Sequence, residues 1–234
     1  SMSFGDIEIT TVDDPEGGIG FYTPSLMNIS LSYAQIFSNN IYGGVTVKMI
    51  SEQTSNMGAN GVALDAGIQY VTGVEDNFRF GIALKNVGPR ISFKGDGLSF
   101  RGIVGDDDGY KMTVEQRSSE LELPARLDIG LSYDINVLRH RITGAGTFTS
   151  NSFQKDQYRI GGEYSYRDMF MLRAGYTYEE GIRDPLTRTT ALRGPSGGFT
   201  LELPMGETTF GLDYSYRHTD PFQGSHSIGA RINL

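Results

Sequence analysis

Apolar and polar residues alternate one for one along most of this chain, and that period of two restricts its fold more than any other feature. Met27, Ile29, Leu31 and Tyr33 share one face of a stretch whose other face carries Asn28, Ser30 and Ser32. Val62, Leu64, Ala66, Ile68 and Tyr70 oppose Ala63, Asp65, Gly67 and Gln69. Leu127, Ile129, Leu131 and Tyr133 oppose Arg126, Asp128, Gly130, Ser132 and Asp134. The same reading holds around Phe78–Lys85, Phe170–Glu179, Phe210–Arg217 and Ser227–Leu234. Successive strand side chains point to opposite faces, so alternation sustained over eight or more residues specifies strand and not helix.

Twelve such segments are expected, near 3–11, 25–37, 41–53, 61–72, 77–87, 125–135, 140–149, 157–167, 169–179, 197–203, 207–217 and 226–234. Segment 140–149 is the weakest, because Gly144 and Gly146 occupy its apolar face. Most are about ten residues or longer, whereas strands of soluble proteins average about five or six and a tilted membrane strand needs about 9–11. Short and long connections take turns. Short ones lie at Ser38–Asn40, Gly73–Asp76, Asn136–Arg139, Arg167–Asp168 and Pro204–Gly206, and long ones at 12–24, 54–60, 88–124, 150–156, 180–196 and 218–225. That rhythm predicts an all-β fold, an antiparallel transmembrane β-barrel with short turns at one end and long loops at the other.

Aromatic placement agrees. Tyr33, Tyr70, Tyr133, Tyr164, Tyr166, Tyr176, Tyr178, Tyr214 and Tyr216 lie on the apolar face near strand ends. Such positions suit an interfacial girdle, with buried rings and wet hydroxyls, better than the core of a soluble β-protein. A mean hydropathy of −0.29 fits a barrel in which only every second strand residue meets lipid. The chain has 20 Lys+Arg against 28 Asp+Glu, a net charge of −8, which disfavours a nucleic-acid partner. With no Cys, disulfides, thiolate metal sites and cysteine nucleophiles are excluded. No apolar run is long enough for a transmembrane helix. Ser1–Asp6 shows neither a basic nor an apolar leader region, so no signal peptide is expected in this chain.

The other face is polar and carries both signs of charge: Lys48, Asp65, Arg79, Lys85, Arg126, Asp128, Arg159, Glu163, Arg173, Glu179, Asp213, Arg217 and Arg231. In a barrel these residues face the lumen. Charges removed from water need partners, so cross-strand ladders such as Lys48–Asp65 and Glu163–Arg173 are expected. Small residues among them, including Gly67, Gly81, Ala83, Gly130, Gly161 and Gly175, leave room for water, a plug or a ligand.

No catalytic, cofactor-binding or metal site is expected. The three histidines, His140, His218 and His226, show no metal-ligand spacing, although His218 and His226 flank one loop. Gly105-Asp106-Asp107-Asp108-Gly109 offers three carboxylates, too few for a Ca²⁺ site and without the twelve-residue loop spacing. Neither a nucleophile elbow nor a phosphate-binding loop occurs.

Several strands resemble the PorV/PorQ family. Gly61–Tyr70 (GVALDAGIQY) and Phe78–Pro89 (FRFGIALKNVGP) resemble two consecutive strands of that family, and Leu123–Tyr133 (LPARLDIGLSY) resembles the strand after its long loop. Arg159–Tyr176 (RIGGEYSYRDMFMLRAGY) resembles its next hairpin, and Gly211–Tyr216 (GLDYSY) its penultimate strand. The resemblance implies a FadL-like outer-membrane barrel of Bacteroidetes-type bacteria, fourteen-stranded in the family, with about twelve strands here. It further implies a non-enzymatic part in type IX protein secretion, with outer-membrane lipid and secretion translocon or cargo proteins as partners. Loops 88–124 and 180–196 would be extracellular. An alternative within the same architecture is a FadL-like channel for hydrophobic small molecules. The Gly/Ala-rich opening segment of the family is missing, so residues 1–234 are expected to be one barrel domain lacking its N-terminal part.

Overall fold

In the computed structural model, which describes residues 1–12, 14–104, 110–206 and 208–233, the chain is all-β and antiparallel. Its long strands are β4 (Ser25–Ser38), β5 (Ile41–Thr54), β6 (Met57–Thr72), β7 (Phe78–Val87), β10 (Arg126–Val137), β11 (His140–Asn151), β12 (Gln157–Tyr166), β13 (Phe170–Glu179), β14 (Leu192–Met205), β15 (Thr208–Thr219) and β16 (Ser225–Asn233). With the two-residue β1 (Met2–Ser3), they form a twelve-stranded sheet in the order β1-β4-β5-β6-β7-β10-β11-β12-β13-β14-β15-β16. Two hairpins stand apart: β2 (Ile7–Glu8) with β3 (Phe21–Tyr22), and β8 (Ser99–Val104) with β9 (Tyr110–Glu115). The acidic stretch 105–109 and Leu234 lie outside the described residues.

The segment 3–11 is not the strand its alternation predicts. Only Met2 and Ser3 pair with β4, opposite Leu26 and Ser25. Gly5 then takes a positive φ of 81°, open to glycine alone at low cost, and Ile7 and Glu8 pair instead with Tyr22 and Phe21. The strand β14 also begins earlier than expected, at Leu192, with a register shift between Leu192 and Ser196. Gly194 sits there at φ 104°, where a side chain would run into Tyr176.

The chain divides into two compact units. The first comprises Ser1–Tyr33, Val45–Ala66 and Lys85–Pro124; the second comprises Ala34–Gly44, Gly67–Leu84 and Ala125–Leu234. In the first unit the long connection 88–124 does not project freely. Ile91 and Leu123 pack with Ala59 and Ala63, flanked by Ile50 and Phe93. Gly61, between the two alanines on that face of β6, makes this possible, since a Cβ there would stand 2.5 Å from Ile91 Cγ2. Backbone bonds complete the seat: Lys94 and Gly58 exchange bonds of 2.9 Å, and Ile91 and Leu121 exchange bonds of 2.8 and 2.7 Å. The β8–β9 hairpin beyond this base leaves Phe100, Ile103, Tyr110 and Met112 exposed.

In the second unit β10 to β16 form an uninterrupted antiparallel meander. Exposure follows the period of two in an unusual sense. Leu131, Tyr133 and Ile135 are about half exposed, while Asp134 between them is 3% exposed. Thr149, Ser165 and Thr200 are fully buried. Among the described residues the buried apolar side chains are Ala59, Ala63, Val71, Ile91, Leu123, Met171 and Ile182. So small a set cannot supply the apolar burial that holds a water-soluble domain of this length together. Rings collect near both ends of the apolar face. His140 packs with Tyr164 and Tyr166 at one end of β11–β12, and Phe148, Tyr158 and Tyr178 form a row at the other end of β11–β13.

Candidate functional site: the charged face of the sheet

The polar face carries a series of ion pairs, built where strand register sets opposite charges across from one another. In the first unit Lys48 Nζ lies 2.6 Å from Asp65 Oδ2. Asn86 joins them: it accepts from Lys48 Nζ at 2.8 Å and donates its backbone N–H to Asp65 Oδ1 at 2.8 Å. Asn86 holds this position with a left-handed backbone, φ 59°. Its side-chain amide also donates to the Pro124 carbonyl, so this triad is tied to the end of the long connection. Arg90 clamps the same connection against Glu120 and Glu122, whose carboxylates hold its guanidinium above the ordinary arginine value. All three side chains are more than half exposed, and such pairs contribute little. The apolar seat around Ile91 is therefore what fixes the segment.

In the second unit Arg79 meets the buried Asp134 at 2.7 Å, and Thr143 donates to the other oxygen of the same carboxylate at 2.7 Å. Glu163 and Arg173 are direct cross-strand partners, 2.5 Å apart. Arg173 reaches on to Thr200 at 2.6 Å and to Asp213 at 4.0 Å, and the Thr200 hydroxyl donates to Asp213. Arg141 stands between Glu163 at 3.2 Å and Asp168 at 3.1 Å. The chain thus runs Asp168–Arg141–Glu163–Arg173–Asp213 across β11 to β15. Farther along, Arg126 meets Asp128 at 3.1 Å, Thr149 donates to Asp128, and Arg231 pairs with Glu202. Lys85 shares β7 with Arg79. Glu179, 1% exposed, accepts from Gln157 at 2.8 Å and Thr189 at 2.6 Å. Arg159 donates to Gln157 Oε1 at 2.6 Å, and Arg217 lies beside Ser196 in register.

The two larger of the clefts described on this face of the second unit are bordered by its ion pairs. One, of about 680 Å³, is bordered by Arg79, Asp128, Gly130, Ser132 and Thr147. The other, of about 630 Å³, is bordered by Arg79, Asp134, Arg141, Glu163, Arg173 and Asp213. Glycines keep the space open: Gly67, Gly81, Gly161 and Gly175 line it without side chains. Such a surface can hydrate and order polar groups, and its carboxylates are tied up with cations or hydroxyls. His218 and His226 are engaged with tyrosines, at Tyr216 and Tyr214 respectively. No group of three or more potential metal ligands occurs among the described residues.

Reading by parity misses Asn86, Arg141 and Asp168. Arg141 falls on the weakly alternating segment, and Asp168 sits in a turn where no face can be assigned. The spacing of Arg141 to Thr143, Thr147 and Thr149 was the available signal, since all share one parity on β11.

No family model matches the chain, and no curated protein matches it. Among solved structures the chain is similar to the β domain of the Bordetella autotransporter BrkA, at 14% identity and a TM-score of 0.45, over 90% of this chain and 89% of that one.

Proposed function

We propose that this chain is an outer-membrane β-barrel of the PorV/PorQ type, a non-enzymatic component of type IX protein secretion that binds or shuttles secreted cargo at the cell surface. The observation that carries the membrane part is the inverted exposure of the sheet: large apolar side chains outward on strand after strand, ion pairs and hydroxyls on the other face. Leu131, Ile135, Ile142, Ile160, Leu172 and Leu212, each about half exposed or more, would forgo roughly 1–2 kcal/mol apiece in water. Lipid removes that cost, and the twelve-stranded ladder pairs the backbone groups of its inner strands; among the described residues the outer edges of β4 and β16 stay open, and a membrane requires them to be closed.

The aromatic rows give the band a height. Tyr158 and Tyr166 on β12 are eight residues apart, about 26 Å along a strand. Tilted as membrane strands are, that is about 20 Å along the normal, near the ~25 Å apolar band of outer-membrane barrels. On this reading Lys48, Asp65, Arg79, Lys85, Arg126, Asp128, Arg159, Glu163, Arg173, Asp213, Arg217 and Arg231 line the lumen.

The secretion part rests on the sequence resemblance, whose quoted stretches coincide with β6, β7, β10, the β12–β13 hairpin and β15. The exposed apolar residues of the β8–β9 hairpin give loop 88–124 a surface for cargo. A channel for hydrophobic small molecules is the weaker reading, because charged pairs border the clefts. Deleting the gene and comparing surface proteins with lipid uptake separates the two. Loss of surface proteins with normal uptake supports secretion, and the opposite result rejects it.

A further inference from the structure

We propose that Arg126, Arg159 and Arg217 form a binding site for a phosphate-class oxyanion on the polar face of the second unit. Cations elsewhere on this face are matched: Lys48, Arg79, Arg141, Arg173 and Arg231 each meet a carboxylate. One cleft of about 350 Å³ departs from that rule. It is bordered by Arg126, Arg159, Arg217, His218, Gln157 and Ser196, and by no carboxylate. Among the described residues neither Arg159 nor Arg217 has an ion-pair partner. Arg126 is neutralised by Asp128, yet its Nε is buried without a hydrogen-bond partner. Glu179, the nearest acid along β13, is committed to Gln157 and Thr189.

Register explains why the arginines converge. Gly161, Gly175, Ser196 and Arg217 stand opposite one another in turn, and Arg159 lies two residues from Gly161 on β12. Arg159 and Arg217 are therefore three strand spacings apart and two residues out of line, about 16 Å between their backbones, with Gly161, Gly175 and Ser196 between them. Both long side chains border the cleft together with Gly175 and Ser196, and Arg159 is steadied by its bond to Gln157. β14 carries a register shift between Leu192 and Ser196 at this point. Unneutralised guanidinium groups on a part-enclosed surface repel one another, and a planar fork of N–H donors fits the oxygens of a phosphate group. The volume exceeds a single water's share about tenfold, so the ligand has room for more than one phosphate group. Both a soluble phosphorylated compound and a phosphorylated lipid headgroup present this chemistry.

The full chain in detergent, titrated calorimetrically with inorganic pyrophosphate, tests the site. Vesicles of phosphatidylcholine with and without phosphatidic acid form the second arm. Saturable pyrophosphate binding, weakened about tenfold or more in Arg159→Gln/Arg217→Gln and unchanged in Arg101→Gln, supports a soluble ligand. Binding confined to phosphatidic acid vesicles, with the same dependence on the two arginines, supports a lipid headgroup. Binding of neither probe, or equal binding by the double variant, overturns the site. The unmodified protein gives a check independent of variant folding: pyrophosphate or phosphatidic acid should shield Arg159 and Arg217, but not Arg101, from an arginine-directed dicarbonyl reagent, and absence of shielding refutes the proposal. A protein that needs no detergent yet binds pyrophosphate this way would keep the site and lose the membrane reading.

Discussion

Leu131 and Ser132 are neighbours with opposite surroundings, and the pair tests the face assignment most directly. Leu131 is 54% exposed on the apolar face, and Ser132 lines a cleft on the polar face. Leu131→Arg is expected to cost roughly 2–4 kcal/mol of folding stability in a bilayer, as a charge placed against lipid. Ser132→Arg should cost much less; similar losses in reversible refolding into vesicles would reject the assignment. Leu138 offers a test of the opposite sign. It is fully exposed, in a turn, at φ 58°, a conformation that costs a side-chain-bearing residue about 1–2 kcal/mol. Leu138→Gly should therefore stabilise by a net of about 0.5–1 kcal/mol, the relieved strain minus what glycine costs through the unfolded chain. At this scale the sequence is legible where residues sit in regular strand. Lys48 with Asp65, and Glu163 with Arg173, follow from parity and adjacency alone. Asn86 does not, because its left-handed backbone breaks the period that parity depends on.

Between elements, Arg173 is the hub of the charged chain on β11 to β15, touching Glu163, Thr200 and Asp213. Its side chain is 44% exposed, so solvent screens part of each contact. Arg173→Met should destabilise by about 1–2 kcal/mol, with Glu163→Gln adding less than its separate effect. Strict additivity in a double-mutant cycle would show that the two do not interact. The seat of the long connection is a second element-scale target. Gly61→Val drives a side chain into Ile91, and the expected result is faster proteolysis within 99–115 without loss of the strands. Unchanged cleavage would mean that the segment is held elsewhere. The long strands of the twelve-stranded sheet from β4 onward were legible to within about five residues, because alternation needs no long-range information, whereas the β8–β9 hairpin inside 88–124 was not expected. The failure at 3–11 and the early start of β14 both lie where a glycine at positive φ redirects the chain, and period-two reading has no term for backbone sign.

For the whole molecule, the inverted exposure makes one demand. The protein should require detergent or lipid to stay dispersed, and should migrate differently on a gel before and after boiling. Free solubility without detergent would end the membrane reading. The sequence legibly separated the two faces, since each strand states its own. It could not show that cations meet carboxylates on most strands while, among the described residues, Arg159 and Arg217 meet none, because that depends on register across four strands. Nor could alternation show where the residues of 88–124 go, since the segment has little period of its own.

The small-residue strip Ala59, Gly61 and Ala63 carries a consequence for how this chain can vary. It makes one stretch of strand wall a socket, and the base of the longest connection the fitting that fills it. The tip around 99–115 can then change in length or chemistry without loosening the wall, while Ile91, Leu123 and Gly61 must change together or not at all. New specificity would be acquired at the tip, and tolerance to insertion should fall sharply within a few residues of Ile91.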